Sequence, residues 1–190
     1  EKIAGDVSIL LGDLPMTITT LSLIVASSLL ALPPVQDAMH QNWSTVLKSH
    51  VSTEGLVDYT ALKAKPQVLE AYLNGLSSLS APRYQKLDKS EQLAFLINAY
   101  NAFTLKMVIE HYPVKSIRDI GQASGDAWKE LWISLPALSS KPLSLNAIEH
   151  DIIRKQFREP RIHFALVCAA ISCPKLRQEA YQGKKLEKQL

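Results

Sequence analysis

"DKSEQLAFLINAYNAFTLKMVIEH", residues 88–111, decides the fold. Asp88 followed by Glu91 has the spacing of a capping box, in which one carboxylate accepts from a free amide of the first turn and the other returns to the cap. Pro113 supplies the stop, because the residue before a proline is pushed out of the helical region. Between these signals Leu93, Phe95, Leu96, Ile97, Ala99, Tyr100, Phe103, Leu105, Val108 and Ile109 cover nearly every direction around the axis. A helix that is apolar on all sides is one surrounded by protein. The spacing therefore predicts a buried central helix over 88–111.

The rest of the chain is read around that helix. Its 190 residues are 47 % hydrophobic, enough for one domain with a sizeable core. The 21 basic and 18 acidic residues are spread along the sequence and leave a formal charge of only +3, so no basic face selects nucleic acid as a partner. "MTITTLSLIVASSLLALPP", residues 16–34, has a short apolar centre that ends in small residues and prolines, which is the pattern of an export signal. It predicts a periplasmic or extracellular protein. The alternatives for the same segment are an uncleaved membrane anchor or a buried helix, and an anchor is the only membrane contact expected. Residues 1–15 lie upstream of the plausible start. The domain proper, 35–190, ends in an uncapped helical pattern, so its C-terminal part is expected to be missing.

Within that domain, Val35, Met39, Trp43, Val46 and Leu47 recur at helical spacing. "EGLVDYTAL", 54–62, reads as a turn and a short extended piece. Leu69, Tyr72, Leu73 and Leu76 mark a helix entered through Pro66. "ELWISLPAL" and "KPLSL" read as two short strands, Leu145 to Phe157 as a helix opened by Ser144, and Ile162 to Ala169 as a buried strand. The expected class is α+β: a helix-rich single domain around the central helix, packed on a small β-sheet.

Three groups of residues could carry chemistry. Asn98 and Asn101 share a face of the central helix and need partners when buried, either to tie the helix to a neighbouring loop or to line a site. Glu149 and His150 put a carboxylate beside an imidazole. In "RIHFALVCAAISCPKLR", 161–177, strand alternation sets Ile162, Phe164, Leu166 and Cys168 on one face and His163, Ala165 and Val167 on the other. Cys168 then reads as a packed core thiol. Pro174 suits the first position of a helix over "PKLRQEAY", which would put Cys173 at the cap, where helix amides with Lys175 and Arg177 favour a thiolate.

Two function classes follow. One is a thiol-dependent hydrolase or transferase with Cys173 as nucleophile and His163 or His150 as proton acceptor. The other is a non-catalytic binding or structural domain in which Cys168 and Cys173, the only two cysteines, form a disulfide. The set His150, His163, Cys168 and Cys173 has metal-ligand types without a familiar paired spacing, so neither a metal nor another cofactor is expected. The partner in either class is a small-molecule or peptide ligand.

"LAFLINAYNAFTLKMVIEHYPVKSIRDIG", "LSLNAIEHDIIRKQF" and "PRIHFALVCAAISCPKLR", in that order, resemble the family called domain of unknown function 547 over roughly Val57 to Leu190. The resemblance implies as motif residues Asn98, Tyr100, Asn101, Glu149, His150, Arg161, His163, Cys168, Ser172, Cys173 and Pro174, with Tyr100 and Arg161 joining the two asparagines as binding residues. It also implies a domain that continues past Leu190. Leu96 stands where the family often has tryptophan, and Val167 where a polar residue is common. A buried helix followed by a strand opening with histidine is, more distantly, similar to the papain and transglutaminase-like architecture, with Asn98 where those helices carry a cysteine.

Overall fold

Asp88 caps a helix over Lys89–His111: its Oδ1 accepts from the Glu91 amide at 2.8 Å, and Glu91 Oε2 accepts from the Asp88 amide at 3.0 Å. The computed structural model describes residues 38–121, 126–170 and 173–190. Among these, the α-helices in chain order are α1 (Gln41–His50), α2 (Tyr59–Ala64), α3 (Gln67–Ser77), α4 (Ala81–Gln85), α5 (Lys89–His111), α6 (Arg154–Gln156) and α7 (Leu186–Gln189). A π-helical stretch, Ala147–Ile153, runs directly into α6. Tight 3-10 turns lie at Ile117–Asp119, Asp126–Trp128, Pro160–Phe164 and Gly183–Lys185.

α5 is buried on every side, as its all-round apolar sequence requires; Phe95, Leu96, Ile97 and Ala99 have no solvent exposure at all. Around it pack α2, α3, the π-helical stretch and the Gly183–Lys185 turn. α1 lies on α3, where the Trp43 and Tyr72 rings stack at 5.7 Å. Pro66 stands at the N-cap of α3, as its sequence suggests. No helix among the described residues is long and apolar enough to cross a membrane. The expected export or anchor segment, 16–34, and Ser172 lie outside the described residues.

The expected α+β class is wrong, because the described residues contain helices and no strand. Extended pairing is reduced to two isolated antiparallel bridges, Val51 with Val57 and Ile133 with Leu143. In the second, Ile133 and Leu143 exchange both backbone bonds at 2.9 and 2.8 Å. Pro136 and Pro142 then remove the donors that a longer ladder would need. In "EGLVDYTAL" the turn is present and the extended piece is Val57 alone, bridged to Val51, before α2 begins, capped by the Asp58 carboxylate on the Ala61 amide at 2.9 Å.

The strand expected at Ile162 to Ala169 is also absent. Its first half is the 3-10 turn Pro160–Phe164, and burial falls on Ile162 and then on Ala165, Leu166 and Val167 in a row rather than on alternate residues, while Phe164 is 68 % exposed. "PKLRQEAY" forms no helix either, since Gln178 Nε2 donates to Val51 O, the Ala180 amide to Ser44 Oγ and the Tyr181 amide to Asn98 Oδ1. The segment runs so close to the 52–56 turn that a Cβ on Gly55, at φ +82°, would stand 2.7 Å from Lys175 Cβ. Without a sheet, the likeness to papain and transglutaminase architecture has no structural footing here.

Candidate functional site

α5 fastens the chain's last third by two side-chain amides. Asn98 donates from Nδ2 to Tyr181 O (2.8 Å) and accepts at Oδ1 from the Tyr181 amide (2.9 Å). Asn101 does the same one turn on, donating to Ala165 O (2.9 Å) and accepting from the Val167 amide (2.8 Å). Both are fully buried, and each satisfies a carbonyl and an amide that would otherwise be orphaned inside the core. The second clamp ends one residue before Cys168 and so fixes where that residue sits.

On the other side of the clamp, α5 presents Tyr100 to the π-helical stretch. Burial, then the charge of Glu149 and a hydrogen bond to it, push the Tyr100 hydroxyl well above its ordinary value. Glu149 is also held by Arg154, whose Nη2 and Nε stand 2.7 and 3.2 Å from Oε1. These residues are five apart, a separation that in an α-helix points side chains in different directions. The π-turn supplies the missing register: the Arg154 amide bonds Glu149 O, and the two side chains lie together. His150, half exposed, has Nε2 3.9 Å from the same carboxylate oxygen. Such widened turns recur at functional sites.

Tyr100, Glu149, His150 and Cys168 thus meet in one pocket of about 410 Å³. Arg118, Trp128, Lys129 and Asn146 complete its wall with Ala170. None of these four stands out in the sequence by its spacing, although Arg118 and Asn146 fall within the stretches "SIRDIG" and "LSLNAIEH". Arg118 and the Trp128–Lys129 pair come from two short turns that only the folded chain brings to α5, and Asn146 stands at the N-cap of the π-helical stretch that carries Glu149 and His150.

The other candidates lie elsewhere. Cys173 is bonded to Cys168 as a disulfide, with Cα atoms 6.3 Å apart, and the Cys168 amide points at its sulfur (3.3 Å). The helix expected to begin at Pro174 is absent, so Cys173 has no helix terminus behind it. His163 is exposed, its ring edge-on to Phe164 at 5.6 Å. Arg161 pairs with Glu159 (2.6 Å) and Glu187 (2.9 Å), tying the 160–164 turn to α7. Asn98 and Asn101 do not line the pocket: both bond backbone, Asn98 at Tyr181 and Asn101 at Ala165 and Val167.

No curated protein and no solved structure matches this chain. The family described as protein of unknown function, DUF547, matches residues 84–190, beginning at α4 rather than near Val57 and taking in every residue of the pocket. With more than half of its length matched, this chain belongs to the DUF547 family.

Proposed function

We propose that this chain is an exported, non-catalytic binding domain that takes a small-molecule or peptide ligand in the pocket bounded by Tyr100, Trp128, Glu149 and His150. The observation that carries the reading is the disulfide between Cys168 and Cys173. A thiol-dependent hydrolase or transferase needs a thiolate within reach of an imidazole; here the sulfur is already bonded and no described histidine is hydrogen-bonded to it. The disulfide also supports an oxidising compartment, where such bonds persist. In this role the bond braces the wall that Cys168 contributes to the pocket, directly beyond the Asn101 clamp.

The test is iodoacetamide labelling of the native protein, read by peptide mass for each cysteine. Labelling of Cys168 and Cys173 only after reductant is added supports the binding domain. Rapid labelling of Cys173 without reductant, at a pH below the roughly 8.5 of a free thiol, overturns it in favour of a nucleophile.

A further inference from the structure

We infer that the ligand of this pocket is a small organic anion: an oxyanion group, carboxylate or phosphate monoester, on a planar apolar body. This deepens the binding reading above and rests on the pocket being the binding site. The argument is one of charge already spent and charge still open. The pocket's carboxylate, Glu149, is already paired within the fold, its Oε1 accepting from the Arg154 guanidinium at 2.7 and 3.2 Å. A cationic ligand would have to displace Arg154 to reach it. Arg118 and Lys129, on the same wall, form no ion pair among the described residues, so their positive charge is open to an anion. Arg118 is exposed and offers the planar fork of donors that matches a carboxylate or phosphate. Trp128 adds a half-buried aromatic face, against which an apolar ring can lie. A pocket of about 410 Å³ falls within the usual range for small-molecule sites.

The experiment uses four probes with the same ring and different charge: benzoate, phenyl phosphate, benzyl alcohol and benzylamine. Each is titrated into the oxidised full chain, with the indole N–H resonance of Trp128 followed by NMR and assigned through Trp128→Phe. The expected result is saturable binding of the two anions, with Kd on the order of 1 mM and at least about tenfold tighter than for the alcohol or the amine. Arg118→Gln, on an exposed turn, should weaken both anions by about tenfold without moving the urea midpoint. Glu149→Gln should tighten them, because it frees Arg154, whereas at a cation site it would abolish binding. Preference for phenyl phosphate over benzoate would assign the oxyanion to a phosphate, and the reverse to a carboxylate; both support the inference.

Equal Kd values across the four probes, or tighter binding of benzylamine, would overturn the anion class while leaving the pocket as a binding site. Anion binding that Arg118→Gln leaves unchanged would overturn it as well. No saturable shift with any probe would remove both the anion class and the pocket, and the labelling result on the disulfide would then stand on its own.

Discussion

His40 should make the fold sensitive to mild acid. Its side chain is 1 % exposed, with Nδ1 2.7 Å from the Tyr72 hydroxyl, while Nε2 is buried and bonded by no described residue. The ring lies among Tyr72 and Phe95, with centroids at 5.8 and 6.4 Å. Desolvation there lowers its pKa from 6.5 to about 4. The folded state therefore resists the proton that the unfolded chain accepts. Stability from this residue is complete above 6.5, is lost as pH falls, and levels off once pH passes about 4. The whole shift corresponds to about 3 kcal/mol, of which about 2 kcal/mol is lost between pH 7 and pH 5.

The assay is urea unfolding of the native chain and of His40→Leu at both pH values. With a urea dependence of about 2 kcal/mol per molar, the native midpoint should fall by about 1 M more than the variant's. The variant leaves the Tyr72 hydroxyl without its partner and is less stable throughout, but that cost is the same at both pH values and cancels. Tyr72, whose hydroxyl burial holds well above its ordinary range, does not titrate in this window. Parallel losses in the two proteins, within about 0.5 kcal/mol, would refute the reasoning.

Three further outcomes follow from the contacts. Asn101→Ala strands Ala165 O and the Val167 amide in the core and should cost about 3 kcal/mol in urea unfolding; a loss below about 1 kcal/mol would mean that water replaces the clamp. Asp88→Ala removes the cap of α5 and should cost about 1 kcal/mol, seen as a lower thermal midpoint by circular dichroism, with Asp88→Asn recovering most of it. Cys168→Ser with Cys173→Ser opens a loop closed across a separation of 5 residues and should cost about 2 kcal/mol relative to the oxidised protein, with no difference once both are compared under reductant.

The helical half of this fold could be read from the sequence because its signals are local. The Asp88–Glu91 box, the proline ahead of α3 and the all-round apolar run of α5 are each decided within a few residues. The absence of a sheet is not legible in the same way, because strand pairing is not decided locally. Alternating apolar residues in "IHFALVC" allow a strand, but a strand exists only if a neighbour offers its edge, and here Pro160 and the Glu159 cap on the Arg161 amide start a 3-10 turn first. Likewise the apolar stretches around Ile133 and Leu143 meet at one bridge and are parted by their prolines. Two other features escape the sequence, one local and one not. The Glu149–Arg154 pair needs a π-turn, which no period of the sequence announces, and His40 is buried by residues far from it in the chain, Tyr72 and Phe95.

Asn98 and Asn101 explain how this fold manages without the sheet. Extended chain inside a protein must bond its amides and carbonyls, and a neighbouring strand is the usual partner. At Ala165–Val167 and at Tyr181 the partner is instead a carboxamide on α5, which presents a carbonyl and an N–H side by side, as a strand edge does. One buried helix thereby holds two irregular segments at a cost of two polar side chains, both fully paired. The consequence reaches the pocket. The segment released from the Asn101 clamp enters Cys168 with its direction fixed, the disulfide joins Cys168 to Cys173, and Tyr100, one residue from the clamp on the same helix, lines the pocket with Glu149. Asn101, which looks like a binding residue in the sequence, therefore acts through the wall that it positions, while Asn98 holds the Tyr181 segment away from that pocket.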